Sequence, residues 1–305
     1  MKVLCLGGGP AGLYFAISMK LRDPSHQVTV LERNRANDTF GWGVVLSDDA
    51  LARMQTNDPV STEAIRANFV YWDDIAVVRG TERTVSGGHG FAGIGRRQML
   101  TLLQDRARAL GVDLRFETEF KSASDYAPDY DLVVACDGIN SAVRREFSHV
   151  FRPDIDMRLC KFVWLGTHAK FDDAFTFIFE KTEHGWVWAH AYQFDADTAT
   201  FIVECSQATW DAWGFDAMTK EDTVATCQRI FAGHLGGHDL ISNSAHLRGS
   251  AVWMNFPRVI CDTWYHGNIV LMGDAAATGH FSIGSGTRLA LDSAIALADY
   301  LHSEP

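Results

Sequence analysis

Apolar positions along this chain follow two different periods. Residues 3–6 form a short unbroken apolar run, residues 7–12 a glycine-rich turn, residues 13–20 a helical stretch, and residues 28–31 a second apolar run. Two such runs separated by one helix predict a β-α-β unit. Residues 97–110 place Leu100, Leu103, Ala107 and Leu110 on one helical face, and residues 131–136 form another unbroken run, of the kind buried on both faces of a parallel sheet. Residues 268–272 repeat that run, and residues 287–301 put Leu291, Ile295, Ala298 and Leu301 on the inner face of a last helix.

Between about residues 155 and 206 the period drops to two. Phe175, Phe177 and Phe179 alternate with other residues, as do Trp186, Trp188, His190 and Tyr192, and then Phe201, Val203 and Cys205. This predicts an antiparallel sheet with an aromatic face. A helix follows from Thr219, whose hydroxyl and Asp222 three residues on suggest a capping start, with Val224, Cys227 and Phe231 as its apolar stripe. Ser47 and Asp48 read as the N-cap region of another helix rather than as catalytic groups. The expected fold is α/β: a discontinuous Rossmann-like lobe (residues 1–68, 95–152 and 258–305) and a β-sheet-rich lobe (residues 69–94 and 153–257).

A length of 305 residues suits two lobes. With 47% hydrophobic and 21% charged residues, disordered and low-complexity classes are excluded. A net charge of -11 opposes nucleic acid as a partner, because that affinity comes from neutralised phosphates. No apolar run reaches the ~18–20 residues that cross a bilayer, and glycines interrupt the N-terminus before a signal segment forms, so a cytoplasmic protein without a membrane partner is expected. Six scattered cysteines, none in a C-x-x-C pair, read as reduced core residues. His234 and His238 lack the acidic neighbour of a zinc-protease motif, so no metal site is expected. Oligomeric state is not legible.

The chemistry begins in the glycine turn. Gly7, Gly9 and Gly12 form G-x-G-x-x-G between a strand and a helix, with Pro10 and Ala11 inside it and Glu32 and Arg33 after the second strand. The first glycine permits the tight turn, the second lets backbone approach a pyrophosphate, and the third allows close helix–strand contact. The helix start supplies amides and a positive dipole end, and Glu32 would accept from ribose hydroxyls. The plain alternative is a structural turn beside a surface glutamate; strand–turn–helix context and the acidic residue favour a dinucleotide. Two further strand-ending turns, Asp137-Gly138 and Gly273-Asp274, point at the same crevice. The second suits a ribityl chain and pyrophosphate, with Gly284 and Gly286 opening a helix toward a flavin.

Together these motifs resemble those of class A FAD-dependent aromatic hydroxylases, the p-hydroxybenzoate hydroxylase fold, across essentially the whole chain. An Arg-x-x-Leu of that family is matched by Arg97 and Leu100, with Arg96 as the alternative. Residues 39–47, 201–206 and 280–290 are more specifically similar to the salicylyl-CoA 5-hydroxylase and 2-aminobenzoyl-CoA monooxygenase group and to violacein-pathway tryptophan hydroxylase. Departures are Ala277, where the family commonly has histidine, and Phe281, where proline is common. Such proteins usually continue with more helical sequence, so the resemblance also implies a missing C-terminal helical part.

The resemblance implies FAD as cofactor, NADH or NADPH as transient electron donor, and O2 as a further reactant. Hydroxylation of an electron-rich small aromatic, such as a CoA thioester, would pass through a flavin C4a-hydroperoxide. Trp42, Val45, Trp188, His190 and Phe281 are the expected substrate-pocket residues, although aromatic residues equally serve a core. His280 is the expected catalytic contact, its alternative role being a hydrogen-bonded structural histidine. A tryptophan or indole hydroxylase, a flavin reductase or dehydrogenase, and a non-catalytic FAD-binding fragment remain open. A flavin-dependent halogenase is suggested only by Gly185-Trp186-Val187-Trp188.

Overall fold

The computed structural model describes residues 1–36, 38–39, 41–242 and 252–303. The opening unit is β1 (Lys2–Leu6), α1 (Pro10–Arg22) and β2 (Gln27–Leu31). It leads to β3 (Gly43–Ser47), α2 (Asp48–Asn57) and α3 (Pro59–Arg66). Ser47 caps α2 by accepting from the Ala50 N–H at 3.4 Å, as its position before an acidic first turn suggested. Four strands follow: β4 (Val70–Trp72), β5 (Asp74–Arg79), β6 (Glu82–Ser86) and β7 (Phe91–Gly95). Next come α4 (Arg96–Ala109), β8 (Asp113–Arg115), β9 (Leu132–Ala135), α5 (Ala142–Glu146) and α6 (Ser148–Phe151). The aromatic region comprises β10 (Pro153–Thr167), β11 (Ala174–Thr182), β12 (Gly185–Gln193) and β13 (Ala199–Cys205). The rest is α7 (Gln207–Trp213), α8 (Lys220–Phe231), β14 (Leu240–Ile241), β15 (Met254–Cys261), β16 (Tyr265–His266), β17 (Ile269–Leu271) and α9 (Gly286–Ser303).

The first sheet runs β16-β17-β9-β1-β2-β8, parallel except for the β16 edge. β1 lies between β9 and β2, so the carboxyl ends of β2, β1, β9 and β17 stand side by side. Those ends carry Glu32, Gly7, Asp137 and Gly273. Ligands in open parallel sheets bind at this edge, where the connections leave the strands. α1 lies against both α4 and α9 on one face, burying Leu13, Phe15 and Ile17 with Leu103, Leu291 and Ala298.

The second sheet runs β14-β10-β13-β12-β11-β5-β6 and includes β15 paired with β10. It is mixed, not wholly antiparallel: β11 pairs with β5 in parallel, a long-range pairing that alternation within one segment cannot reveal. Register puts Phe177 opposite His190, His190 opposite Ile202, and Trp188 opposite Glu204. The aromatic face is thus continued on β13 by Ile202 and Glu204. Phe201, Val203 and Cys205 point the other way, into a core shared with Cys227 and Phe231 of α8, which corrects the expectation that they extend the aromatic face. Side chains one residue apart on a strand occupy opposite faces. Thr219 caps α8, accepting from the Asp222 N–H at 3.0 Å while donating to its carboxylate at 2.8 Å. A small third sheet, β3-β7-β4, lies at the start of α4 and supplies part of the cavity wall described next.

Candidate functional site

Gly7 has φ 120°, and a Cβ there would sit 2.3 Å from the Cys136 carbonyl oxygen; at Gly12 it would sit 2.1 Å from the Gly7 carbonyl oxygen. Both positions are closed to any side chain. Gly9 is different, with nothing within 4 Å of its would-be Cβ. It leaves an open floor at the start of α1, where Pro10 occupies the first turn and no side chain caps the amides. An uncapped helix start beside an open floor is an anion cradle.

A cavity spreads from this floor over Gly7, Gly9, Glu32, Arg33, Asp137 and Gly138. Glu32 is already engaged: one oxygen accepts from the Gly8 N–H at 2.8 Å, the other from the Asn34 backbone and side-chain N–H groups, each at 2.9 Å. It buckles β2 to the glycine turn and still lines the cavity. Asp137 caps α5 through one oxygen, accepting from Ala142 N–H at 2.6 Å, while its other oxygen is buried without a partner. Arg144, 3% exposed, donates to the carbonyls of Ile139, Ala275 and Asp274, tying the Asp137-Gly138 turn to the Gly273-Asp274 turn. Sequence reasoning left Arg144 without a role, although it stands in the stretch that follows Asp137-Gly138.

Gly9 lines that cavity and its neighbour Pro10 lines a second one, so the two flank the start of α1. Its walls include Val45, Arg96, Trp164, Phe175, Tyr192 and Phe281, and it is also bordered by Asp274, Gly284 and Gly286. Gly273 (φ 61°) brings its turn against α1, where a Cβ would meet the Ala11 Cβ at 3.1 Å. Asp274 presents surface to the cavity but is ringed by protein; that desolvation raises its carboxyl pKa, with Arg96 and Arg144 opposing. Desolvation likewise lowers the Arg96 guanidinium, with Asp274 as the chief opposing charge. Arg96 is held by its Nε–H donating to Thr39 Oγ1 at 3.0 Å.

Several expected residues stand elsewhere. Arg97 is on the exposed side of α4, and the cavity cation is Arg96. Leu100, Leu103 and Ala107 are buried on the inner face of α4 as the sequence register indicated, with Leu110 packed against the same core and Met99 buried beside them. Val45, His190 and Phe281 line the cavity, but Trp42 and Trp188 do not. Trp42 lies flat over Gly166, where a Cβ would come within 2.7 Å of its ring. Trp188 stacks on Phe179 one pleat farther along the sheet and donates to Glu204 at 2.9 Å. His280 is not among the residues lining the cavity, although its ring packs against Phe281 and Phe256, which are; its Nδ1 accepts from the Ser282 N–H at 3.3 Å as the cap of a single helical turn. Trp164, Phe175, Tyr192 and Phe256 were not singled out as pocket residues from sequence; Phe175 and Tyr192 belong to the alternating aromatic strands, but the cavity end of that face depends on the fold.

The sequence matches the FAD binding domain family over residues 1–304. The chain belongs to that family. It is 42% identical over 309 residues to a salicyloyl-CoA 5-hydroxylase of Streptomyces sp, covering 99% of this chain and 58% of that protein. The chain thus spans little more than half the length of that relative. It is 35% identical over 306 residues to the 3-hydroxy-4-methyl-anthranilyl-[aryl-carrier protein] 5-monooxygenase of Streptosporangium sibiricum, covering 100% of this chain and 80% of the relative. Among solved structures, tetrameric 2-methyl-3-hydroxypyridine-5-carboxylic acid oxygenase superposes with a TM-score of 0.79 at 18% identity, covering 100% of this chain and 83% of that one. This establishes the shared fold.

The residues fit FAD. Gly9 offers a floor that a Cβ would fill, α1 offers uncapped amides, and Asp137 offers an acceptor oxygen lacking a partner. The two cavities flanking the start of α1 suit a long two-part cofactor: Glu32 and Arg33 would hold the adenosine side, Asp274 the ribityl side, and the start of α9 would face the flavin ring. Among the described residues no group of three metal-ligating side chains occurs, and no helix is long and apolar enough to cross a membrane.

Proposed function

We propose that this chain is an FAD-dependent monooxygenase that hydroxylates an electron-rich aromatic ring carried as a thioester, using NADH or NADPH and O2. One observation carries this reading: the cavity beside Asp274 and the start of α9 continues directly onto the aromatic sheet face, so a flat ring would be held against the cofactor's reactive side. The names of the two relatives support the substrate class. Both act on aromatic acyl thioesters, and both hydroxylate position 5, which is para to the position-2 hydroxyl or amino group. Para attack is what an electron-donating substituent directs.

When bound, FAD supplies electron transfer from the nicotinamide and activation of O2. The chain's own residues bind, orient and keep water out. Phe175, Tyr192, Trp164 and Phe281 form apolar walls on which a ring can stack, and the Tyr192 hydroxyl is taken up by donating to the Gly43 carbonyl at 2.8 Å. Arg96 lines the cavity with a desolvated guanidinium and would offer the bound cofactor a cation to offset negative charge gained on reduction. The aroyl thioester would enter with its acyl end in this cavity and its carrier outside.

The test is anaerobic mixing of FAD-loaded protein with NADH or NADPH, with and without salicyloyl-CoA. Flavin bleaching that accelerates when the thioester is present supports the reading. Bleaching at one rate with and without every aroyl thioester tried contradicts it and favours a reductase.

A further inference from the structure

We propose that His190 is the base that accepts the proton of the substrate's ring hydroxyl, and that Glu204 is the positioning residue that leaves one imidazole nitrogen free to do so. The inference rests on the hydroxylase reading above and assigns the residues that activate the ring.

His190 lines the cavity from the middle of β12 and is only 3% exposed. Its Nε2 lies 3.3 Å from Glu204 Oε2 on the neighbouring strand, and the same oxygen accepts from Trp188 Nε1 at 2.9 Å. A carboxylate only accepts, so Nε2 carries the hydrogen of the neutral ring. That leaves Nδ1 as a bare lone pair, and Nδ1 is buried without a partner. The ring is held edge-on by Phe177 at 4.9 Å and by Phe281 at 5.9 Å, and Phe281 itself borders the cavity. A buried acceptor without a partner, on a residue that lines the cavity, would be satisfied by a ligand that brings a donor hydrogen. A phenol or aniline ortho to the thioester is such a donor.

The step is a proton transfer with no change of oxidation state. The substrate phenol O–H bond breaks, a hydrogen–Nδ1 bond forms, and the electron pair stays on the ring oxygen, where it feeds the para carbon; an amino substituent would only donate a hydrogen bond to Nδ1, its lone pair feeding the ring without deprotonation. The imidazolium so formed is stabilised by Glu204, and its proton returns to the product oxygen. Ionisable groups surrounding His190 are Glu204 on β13, Tyr192 on its own strand, Cys160 and Arg158 on β10, His280 in the loop before α9, and the Arg96–Asp274 pair across the cavity. Glu204 is the one in hydrogen-bond contact.

Two measurements on the FAD-loaded protein test the assignment. Nitrogen-15 histidine NMR without substrate should place the hydrogen of the neutral His190 ring on Nε2; a neutral ring with its hydrogen on Nδ1 overturns the proposal whatever the variants do. Salicyloyl-CoA should then bind to wild type with the red-shifted absorption of a phenolate, and kcat should fall on the acid side of a single ionisation. His190→Asn should lose the phenolate band and that acid limb and slow turnover about 100-fold or more, while FAD affinity stays unchanged. Glu204→Gln should shift the limb to lower pH, because removing the anion disfavours imidazolium, and Glu204→Asp should restore part of it. A His190→Asn protein that keeps both band and limb overturns the base assignment alone. A wild-type protein that oxygenates no aroyl thioester overturns the parent reading and this assignment with it.

Discussion

Glu32 holds the glycine turn through Gly8 and the following loop through Asn34, and it also borders the cavity. Removing the carboxylate therefore acts on fold and cofactor together. Glu32→Ala is expected to lower FAD affinity about tenfold or more and also to lower Tm, since one charge-assisted hydrogen bond is worth ~1.5–3 kcal/mol. Glu32→Gln, which keeps an acceptor oxygen, should lose less of both; flavin fluorescence titration and thermal melts separate the two effects. Arg96 and Arg97 give a sharper contrast. Arg96→Ala should weaken FAD binding or flavin reduction at least tenfold, whereas Arg97→Ala should change neither measurably, because Arg97 is exposed and away from the cavity. The sequence placed the arginine within one residue but not on the right face, because adjacent Arg96 and Arg97 satisfy the same motif until the helix start is known. Glu204 was equally hidden: on its own strand it reads as one polar residue between Val203 and Cys205, and only the register with Trp188 shows what it holds.

The β1–α1 turn was legible down to single glycines because their spacing between a strand and a helix is itself a local pattern, although what closes Gly7 is the distant Cys136 carbonyl and what leaves Gly9 open is the absence of any neighbour within 4 Å. Gly9→Ala should fold with an unchanged Tm yet bind FAD much more weakly, since its Cβ meets no protein atom and would fill the cradle. Gly12→Ala should fail to fold or melt far lower, its Cβ colliding with the Gly7 carbonyl at 2.1 Å. Circular dichroism melts beside FAD titration decide both. The turn before α9 makes a pH prediction. Burial is the largest influence on His280 and lowers its pKa, so the folded protein binds that proton less readily than the unfolded chain. Stability should therefore fall as pH drops through the unfolded value of ~6.5 and level off below the lowered folded value. His280→Asn, which keeps an acceptor for Ser282 N–H, should flatten the Tm-against-pH curve in that window; an unchanged slope would assign it to other groups. What sequence could not show in this region was that Phe281 lines the cavity while His280, stacked on it, caps the short helical turn.

Across the molecule, the α/β core and the aromatic sheet were both readable, because one shows as unbroken apolar runs and the other as alternation. Their junction was not, since it joins β3, α4, the β12–β13 face and the start of α9, segments far apart in the chain. Arg144 illustrates the same limit: its role is a bridge between turns 130 residues apart. The account's central claim is that the cavity at this junction inserts one atom of O2 into an aroyl thioester para to its ring donor. Mass spectrometry of the product from FAD-loaded protein, NADH or NADPH, salicyloyl-CoA and oxygen-18 gas tests it most directly. The expected product is the 5-hydroxylated thioester bearing one heavy oxygen, with nicotinamide consumed in step. Nicotinamide oxidation that yields only hydrogen peroxide and unchanged thioester, or a product whose added oxygen comes from water, would contradict it.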